Sequence, residues 1–480
     1  MRNHMKGIVH AILANFICLA LFPHQTKAEG LQINGSLGSN GKIHLSWNSN
    51  LEDHAYTLQE KRSLNSPSWR DVSTLYGWPT LQSEWWLPDV RDSPIGFGLF
   101  RVVAEPIESV ERGKLLSMEK IRAWNVTQIQ DLFRSYGFPV DDVQWSVDFY
   151  KVVYETVDAF GLPTVASGGV FVPLIEQGSM PTLSYQHHTV LSKEFVPSQD
   201  NRYWNDNALI FSSSGYLTLM PDYLGLGESP GFHPYLHGES EATSCVDFLR
   251  ASKAFAVELN LNVNDQLFLT GYSQGGHATM ALHRELESQH TDEWRVTASA
   301  PMAGPYDTVE FWRYLLNAPR YPLRSITFYA LAAWLRIYNL GDTLEELLAK
   351  PYNQTIIPHL SGESSLFTLE STAGLRNSID ALTPEFARGI LEDPNHPFML
   401  AAADNSVIDW APQAAVLLIH CEGDDVVEFR NAEVARDAYI DNGACCVSIL
   451  DPMPTQSLNH DRCFLPSHFA AKEWFDSLQE

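Results

Sequence analysis

The chain has 480 residues, of which 45% are hydrophobic, so it is long enough for more than one domain and a large core. Its 58 acidic and 32 basic residues give a formal charge of -26. This charge argues against nucleic acid or an anionic membrane as a partner, because binding phosphate groups needs a basic surface.

The first 28 residues have the pattern of an export signal. A short positive start, with Arg2 and Lys6, is followed by a mostly apolar stretch over residues 7–22 and by a cleavage site at Ala28. We therefore expect a mature protein that begins near Glu29 and is secreted or periplasmic. No later segment has the length and apolarity of a transmembrane helix.

Residues 30–105 predict a small all-β sandwich. Short runs with alternating apolar residues, such as Ile43, Leu45 and Trp47, are separated by turn-rich stretches about every ten residues. The loose pattern resembles a fibronectin type III module. Trp85-Trp86 leaves two interpretations open. Either one ring faces solvent and binds a surface or polymer ligand, or that ring is covered as well.

Residues 137–480 predict an α/β domain. Strand-like apolar runs alternate with helical patterns, which is typical of a mostly parallel sheet covered by helices on both faces. Between residues 305 and 403 the alternation stops, and helical, aromatic-rich segments predict a helical cap insertion. Before the domain, residues 106–136 predict a linker and then a helix that begins near Ser117.

The segment Gly271-Tyr272-Ser273-Gln274-Gly275 lies between a strand-like run and a helical pattern. Strand, sharp G-x-S-x-G turn and helix together predict a nucleophile elbow with Ser273 as the nucleophile. The small glycines let strand and helix approach each other closely. The backbone N–H of Gln274, at the start of the helix, is then expected to donate to an oxyanion.

A carboxylate and a histidine follow the serine in the chain order that an α/β-hydrolase requires. Asp424 follows a buried strand-like run and is the expected acid, with Asp425 as the alternative. His460 follows a later strand-like run and is the expected base, whereas His468 lies within the last helical pattern. The base must remove the serine proton, and the acid must hold the imidazole in the useful tautomer.

Five cysteines remain after the expected cleavage, an odd number. They are Cys245, Cys421, Cys445, Cys446 and Cys463. Cys421 is three residues before Asp424 and Cys463 is three residues after His460, so a Cys421–Cys463 disulfide would brace acid and base. A buried free cysteine at each position is the alternative. No spacing predicts a zinc site, and the expected chemistry needs no metal or organic cofactor.

Residues 115–480 resemble the secreted lipase and esterase branch of the α/β-hydrolase superfamily, which has fungal lipase-A-like and bacterial members. The resemblance depends on the elbow and on four further segments, Tyr154–Asp158, Ser184–Thr189, Pro221–Gly227 and Ala300–Asp307. It implies that Thr189 supplies the second oxyanion donor through its backbone N–H. Where the family usually has His-Gly-Thr, this chain has His187-His188-Thr189, so a side chain adds bulk near the oxyanion.

These observations together lead us to expect a secreted serine hydrolase that cleaves small-molecule or lipid carboxylic esters. A peptidase or amidase on the same fold is one alternative, but the chain has no predicted propeller domain. A non-catalytic binding or adhesion protein is another alternative, in which the N-terminal module would be the functional part.

Overall fold

A computed structural model describes six strands between residues 33 and 106, and residues 110–479 apart from positions 319–320, 339, 341–342 and 361. The chain divides into two compact units, and the larger one contains residues 110–159, 164–340 and 344–480. All residues of the expected active site belong to this larger unit. The expected export signal, residues 1–28, lies outside the described residues.

The six N-terminal strands form two antiparallel three-stranded sheets, ordered β1-β2-β5 and β4-β3-β6. They are β1 (Ile33–Leu37), β2 (Ile43–Trp47), β3 (His54–Lys61), β4 (Arg70–Asp71), β5 (Glu84–Leu87) and β6 (Leu99–Pro106). The fibronectin type III-like sandwich requires these sheets to pack face to face, and it stays a prediction. The side chains of Trp85 and Trp86 lie outside the described part of the chain.

The central sheet of the larger unit has nine strands among the described residues. They are β7 (Leu115–Trp124), β8 (Val147–Val157), β9 (Pro163–Pro173), β10 (Met180–Gln186), β11 (Leu217–Pro221), β12 (Val263–Tyr272), β13 (Ala298–Met302), β14 (Ala415–Ile419) and β15 (Val447–Leu450). Their order is β15-β14-β13-β12-β10-β11-β9-β8-β7. Each pair of neighbouring strands among β10 to β15 is parallel. Strand β7 pairs antiparallel with β8, and β9 pairs antiparallel with β11. The expected mostly parallel sheet is confirmed.

The larger unit has thirteen α-helices among its described residues. In chain order they are α1 (Val126–Tyr136), α2 (Arg202–Ser212), α3 (Gly238–Glu258), α4 (Gln274–Gln289), α5 (Thr308–Asn317), α6 (Ile326–Ile337), α7 (Leu344–Leu347), α8 (Tyr352–Thr355), α9 (Leu366–Ala373), α10 (Pro384–Glu392), α11 (Pro397–Asp404), α12 (Phe429–Asp441) and α13 (His460–Asp476). One core cluster contains Phe133, Trp204 and Phe475 from α1, α2 and α13. Another contains Phe248 and Leu282 from α3 and α4. A third contains Met280 of α4, Val416 of β14 and Tyr439 of α12. Apolar cores on both faces therefore hold the sheet between two helical layers.

The prediction of a helix that begins near Ser117 is wrong for the first half of the predicted segment. Residues 115–124 form β7, which pairs with β8, and the helix begins only at Val126. Strand β7 is mostly exposed, so its side chains show no alternation that sequence could reveal. The helix start is set by Asn125, whose side chain accepts the N–H of Gln128 while the Gln128 side chain accepts the N–H of Asn125.

The described part of the segment between β13 and β14 contains the helices α5 to α11, joined by turns and loops. Its aromatic residues pack on one another, as the rings of Trp312, Trp334 and Phe398 lie 5.2–5.7 Å apart. Trp334 also donates from its indole N–H to the carbonyl oxygen of Tyr235 at 3.1 Å. No helix of the described residues is both long and apolar enough to cross a membrane.

Candidate active site

Ser273 lies between β12 and α4, in a backbone conformation that is unusual for a residue with a side chain. Its φ is 58° and its ψ is -118°. Such a conformation costs about 1–3 kcal/mol and persists only where the surroundings hold it. The N–H of Ser273 donates to the carbonyl oxygen of Met302 on β13 at 2.9 Å, which is one of the contacts that hold it. The side chain is partly exposed, as a nucleophile must be.

Gly275 allows the start of α4 to approach the end of β10. A Cβ at this position would lie far closer than van der Waals contact to the carbonyl oxygen of Gln186, which is the last residue of β10. Only glycine permits this approach. The approach brings the N-terminus of α4 next to the segment His187-His188-Thr189.

Asp424 and His460 are hydrogen bonded to each other. His460 Nδ1 donates to Asp424 Oδ2 at 2.7 Å. The other carboxylate oxygen, Oδ1, accepts the backbone N–H groups of Val426 and Val427, each at 2.9 Å. Asp425 instead accepts the backbone N–H of His460 with its Oδ1 at 3.3 Å. Of the two candidate acids, Asp424 is therefore the one whose carboxylate contacts the imidazole.

The electrostatics of this pair suit an ionised acid beside a base. Burial alone would raise the pKa of Asp424, but His460 and His420 outweigh it and hold the pKa well below its usual range. Burial works to lower the pKa of His460, but the carboxylates of Asp424, Asp461 and Asp425 together outweigh burial, and the pKa is raised above its ordinary value of 6.5. Both side chains are almost completely buried, which strengthens their interaction.

His468, the alternative base, has both ring nitrogens engaged elsewhere. Its Nδ1 donates to the carbonyl oxygen of Phe464 at 2.6 Å, so its Nε2 accepts the hydroxyl of Tyr185, also at 2.6 Å. Burial lowers the pKa of His468 to about 4. This histidine is a packed residue of α13, whereas His460 is the first residue of that helix.

A disulfide joins the segments that hold acid and base. Cys421 and Cys463 are bonded, with their Cα atoms 6.0 Å apart. The same segments also meet at Gly423, where a Cβ would lie 2.6 Å from the backbone of Ser457. The bridge hypothesised from the sequence is thus present, and it connects the loop after β14 to the start of α13.

Tyr272 links the elbow to His460. Its hydroxyl donates to the carbonyl oxygen of His460 at 2.6 Å, and the centroids of the two rings are 5.0 Å apart. Ser273, Asp424 and His460 follow β12, β14 and β15, which are parallel strands of one sheet. Because the carboxyl ends of parallel strands share an edge, the structure brings all three residues to that edge.

The expected oxyanion donors are the N–H groups of Gln274 and Thr189. Neither N–H donates to an acceptor on the described residues, as expected for the first residue of a helix and for a loop. The Thr189 side chain bonds to the hydroxyl of Tyr235 at 2.9 Å. This leaves both backbone donors available at the end of the sheet where Ser273 lies.

His188 occupies a packed position beside this segment. Its Nδ1 donates to the carbonyl oxygen of Thr189 at 3.1 Å, and its Nε2 accepts the hydroxyl of Tyr203 at 2.8 Å. Its ring lies 4.9 Å from that of Trp204. Burial lowers the pKa of His188 to about 3, so the ring is neutral.

His420 is a site residue that the sequence analysis missed. It follows β14, is fully buried, and its Nε2 lies 2.8 Å from the carbonyl oxygen of Val427 and 3.3 Å from Asp424 Oδ2. Its position four residues before the acid is a signal in the sequence, but the residue directly follows the apolar run of β14 and resembles its end. Among the described residues, no group of three or more His, Cys, Asp or Glu side chains is arranged to hold a metal ion.

No protein-family model and no curated protein sequence matches the chain. The solved structures similar to it include the rice cell wall degrading esterase LipA from Xanthomonas oryzae, at 27% identity and a TM-score of 0.67, covering 76% of this chain and 96% of that chain. A protein assigned as a hydrolase from Legionella pneumophila has 26% identity and a TM-score of 0.70, covering 76% of this chain and 98% of that one.

Candida antarctica lipase A is 15% identical over 78% of this chain and 84% of its own, with a TM-score of 0.57, and shows a likeness of fold alone. The chain has the α/β-hydrolase fold. Among these similar structures, LipA, at 27% identity, is an esterase, and this likeness supports ester hydrolysis as the general activity.

Proposed function

We propose that this protein is a serine esterase that hydrolyses carboxylic esters through an acyl-enzyme on Ser273. The observation that supports this most directly is the buried Asp424–His460 hydrogen bond at the same sheet edge as a serine with positive φ. The N-terminal export signal remains a prediction. Together with the Cys421–Cys463 disulfide, it favours a protein that works outside the cytoplasm.

In the first half of the proposed reaction, Ser273 Oγ attacks the ester carbonyl carbon while His460 Nε2 removes the hydroxyl proton. The carbonyl oxygen becomes an oxyanion and accepts the N–H groups of Gln274 and Thr189. When the tetrahedral intermediate collapses, His460 returns the proton to the leaving alkoxide. The alcohol departs and the acyl group remains on Ser273.

In the second half, water attacks the acyl-enzyme with His460 as the base. The carboxylic acid leaves and the proton returns to Ser273 Oγ, so the enzyme is regenerated without any other reactant. Asp424 stabilises the imidazolium formed in each half and keeps Nδ1 protonated, because its Oδ2 lies 2.7 Å from that nitrogen.

Ester hydrolysis by the wild type and by Ser273→Ala tests this proposal. The panel should run from acetyl to long-chain acyl esters and include esters of aromatic acids, because one structural neighbour is described as degrading rice cell walls. We expect a loss of at least about 10³-fold in kcat for Ser273→Ala, and labelling of the wild type alone by a fluorophosphonate. Faster turnover of matched peptidyl amides would favour a peptidase. A wild type that neither turns over esters nor is labelled would favour a binding protein.

A further inference from the structure

The side chain of Gln274 ends in a buried polar cluster that the proposed chemistry does not use. Its Nε2 donates to Glu241 Oε1 at 2.8 Å and to His233 Nε2 at 2.8 Å. Glu241 in turn contacts His277 on α4. All four side chains are at most 1% exposed, so each polar contact here replaces a bond to water.

The hydrogen-bond roles at Gln274 have a single solution. His233 Nδ1 faces the carbonyl oxygen of Leu224 at 2.9 Å, and a carbonyl can only accept, so His233 Nε2 presents a lone pair. Burial lowers the pKa of His233 to about 3, in keeping with a neutral ring. Both hydrogens of the Gln274 amide are therefore used. A flipped amide would place its oxygen against the Glu241 carboxylate, so Glu241 fixes the orientation of the side chain.

Glu241 is itself held by α4. Its Oε2 lies 2.7 Å from His277 Nδ1, and His277 Nε2 lies 2.7 Å from the carbonyl oxygen of Asn405. Since that carbonyl only accepts, His277 Nε2 has a hydrogen, and one further proton lies between Nδ1 and the carboxyl group. The pair is neutral as a whole, which is how a carboxyl group can be buried here without an unpaired charge.

We propose that Glu241 is a positioning residue for the oxyanion hole, an inference that rests on the proposed esterase function. The peptide that joins Ser273 to Gln274 provides the oxyanion donor, and it follows a residue with strained φ. On one side this peptide is fixed by the bond from Ser273 N–H to Met302. The peptide's own carbonyl oxygen accepts the N–H groups of Gly276 and His277 in the first turn of α4. On the other side it is fixed by the Gln274 side chain, whose acceptors are Glu241 on the neighbouring helix α3 and His233.

Three variants test this role. Glu241→Gln keeps an oxygen for Gln274, and its new amide N–H can donate to His277 Nδ1 while His277 Nε2 still bonds Asn405. We expect it to keep a kcat close to that of the wild type. Glu241→Ala removes both contacts, and we expect kcat to fall about 10–100-fold with little change in KM, because a misplacement near 1 Å costs about 10²-fold. Glu241→Asp withdraws the acceptor by one methylene and should give an intermediate loss.

A transition-state analogue separates positioning from folding. A trifluoromethyl ketone that matches the acyl group of the substrate forms an oxyanion on the serine. Its affinity should fall in Glu241→Ala and Glu241→Asp by the same factor as kcat/KM, whereas Glu241→Gln should bind it normally. Thermal unfolding and active-site titration measure the amount of folded enzyme in every sample. If Glu241→Ala does not fold, the more conservative variant Glu241→Asp still tests the role.

The outcomes distinguish the two proposals. If the wild type hydrolyses esters but folded Glu241→Asp and Glu241→Ala keep its kcat and inhibitor affinity, the positioning role is wrong and the esterase proposal stands. The role is also wrong if Glu241→Gln loses as much activity as Glu241→Ala. If the wild type itself has no esterase activity and no labelling, the proposed function fails first.

Discussion

Asp424 and Asp425 both contact His460, and replacing each with asparagine separates their roles. Asp424 Oδ1 accepts two backbone N–H groups, from Val426 and Val427. In Asp424→Asn the amide oxygen must stay with these donors, so the amide Nδ2 is placed against His460 Nδ1. Two donors cannot share a bond, and His460 is forced into the tautomer with its hydrogen on Nε2. That nitrogen can then no longer remove the Ser273 proton.

The expected loss in kcat for Asp424→Asn is about 10⁴-fold, the size of effect that a wrong histidine tautomer has in a serine protease. Asp425→Asn should behave differently, because an amide oxygen can still accept the backbone N–H of His460, which lies at 3.3 Å. A weakened bond of about 1 kcal/mol corresponds to a loss of about fivefold.

Steady-state kinetics with a short-chain aryl ester measure both variants, and thermal unfolding shows whether each is folded. Folded Asp424→Asn with a kcat within about tenfold of the wild type would refute the reasoning. An Asp425→Asn variant that loses about 10³-fold or more would move the role of acid to Asp425.

Three further results are expected. Replacing both Cys421 and Cys463 with serine should lower the free energy of unfolding by about 4 kcal/mol, a value that follows from the 42-residue separation of the bridged positions. Urea titration measures this change, and an unchanged unfolding midpoint would contradict it. The pKa of His460 is raised, and catalysis needs its neutral form, so kcat/KM should rise with pH through a pKa above 6.5. A pH-rate profile with its midpoint below 6.5 would count against this role of His460. Gly275→Ala should destabilise the fold by about 3 kcal/mol or more, since its Cβ meets the backbone of Gln186, and calorimetry that finds a wild-type melting temperature would disprove it.

The parts of the site that sequence could predict are those in which a local pattern determines the geometry. The G-x-S-x-G segment needs its glycines because the backbone at Gln186 passes too close for a side chain at Gly275. The order of Ser273, Asp424 and His460 follows from the order of strands in a parallel sheet. The glycine requirement is visible within the G-x-S-x-G segment, and the order of the three residues is visible along the chain, so both can be read from the sequence.

Contacts between distant segments produce no recognisable local pattern in the sequence. Strand β7 is exposed and is fixed by its backbone pairing with β8, so its side chains resembled the start of a helix. Position favoured Asp424 but left Asp425 as an alternative, because only the fold shows which carboxylate faces the imidazole. Glu241 precedes Gln274 by 33 residues, and nothing in the helical pattern of α3 distinguishes it from a surface glutamate.

The surroundings of Asp424 explain how its carboxyl group can stay ionised although it is buried. Its Oδ2 faces two histidines, since His460 Nδ1 donates at 2.7 Å and His420 Nε2 lies at 3.3 Å. Its Oδ1 binds the N–H of Val427, whose carbonyl oxygen lies 2.8 Å from His420 Nε2. Donors to the charged form lower its pKa and offset the cost of burial. The loop N–H groups fix Oδ1 and thereby direct Oδ2 towards His460, so the loop helps to orient the imidazole. The nearby disulfide ties that loop to the helix that begins with His460.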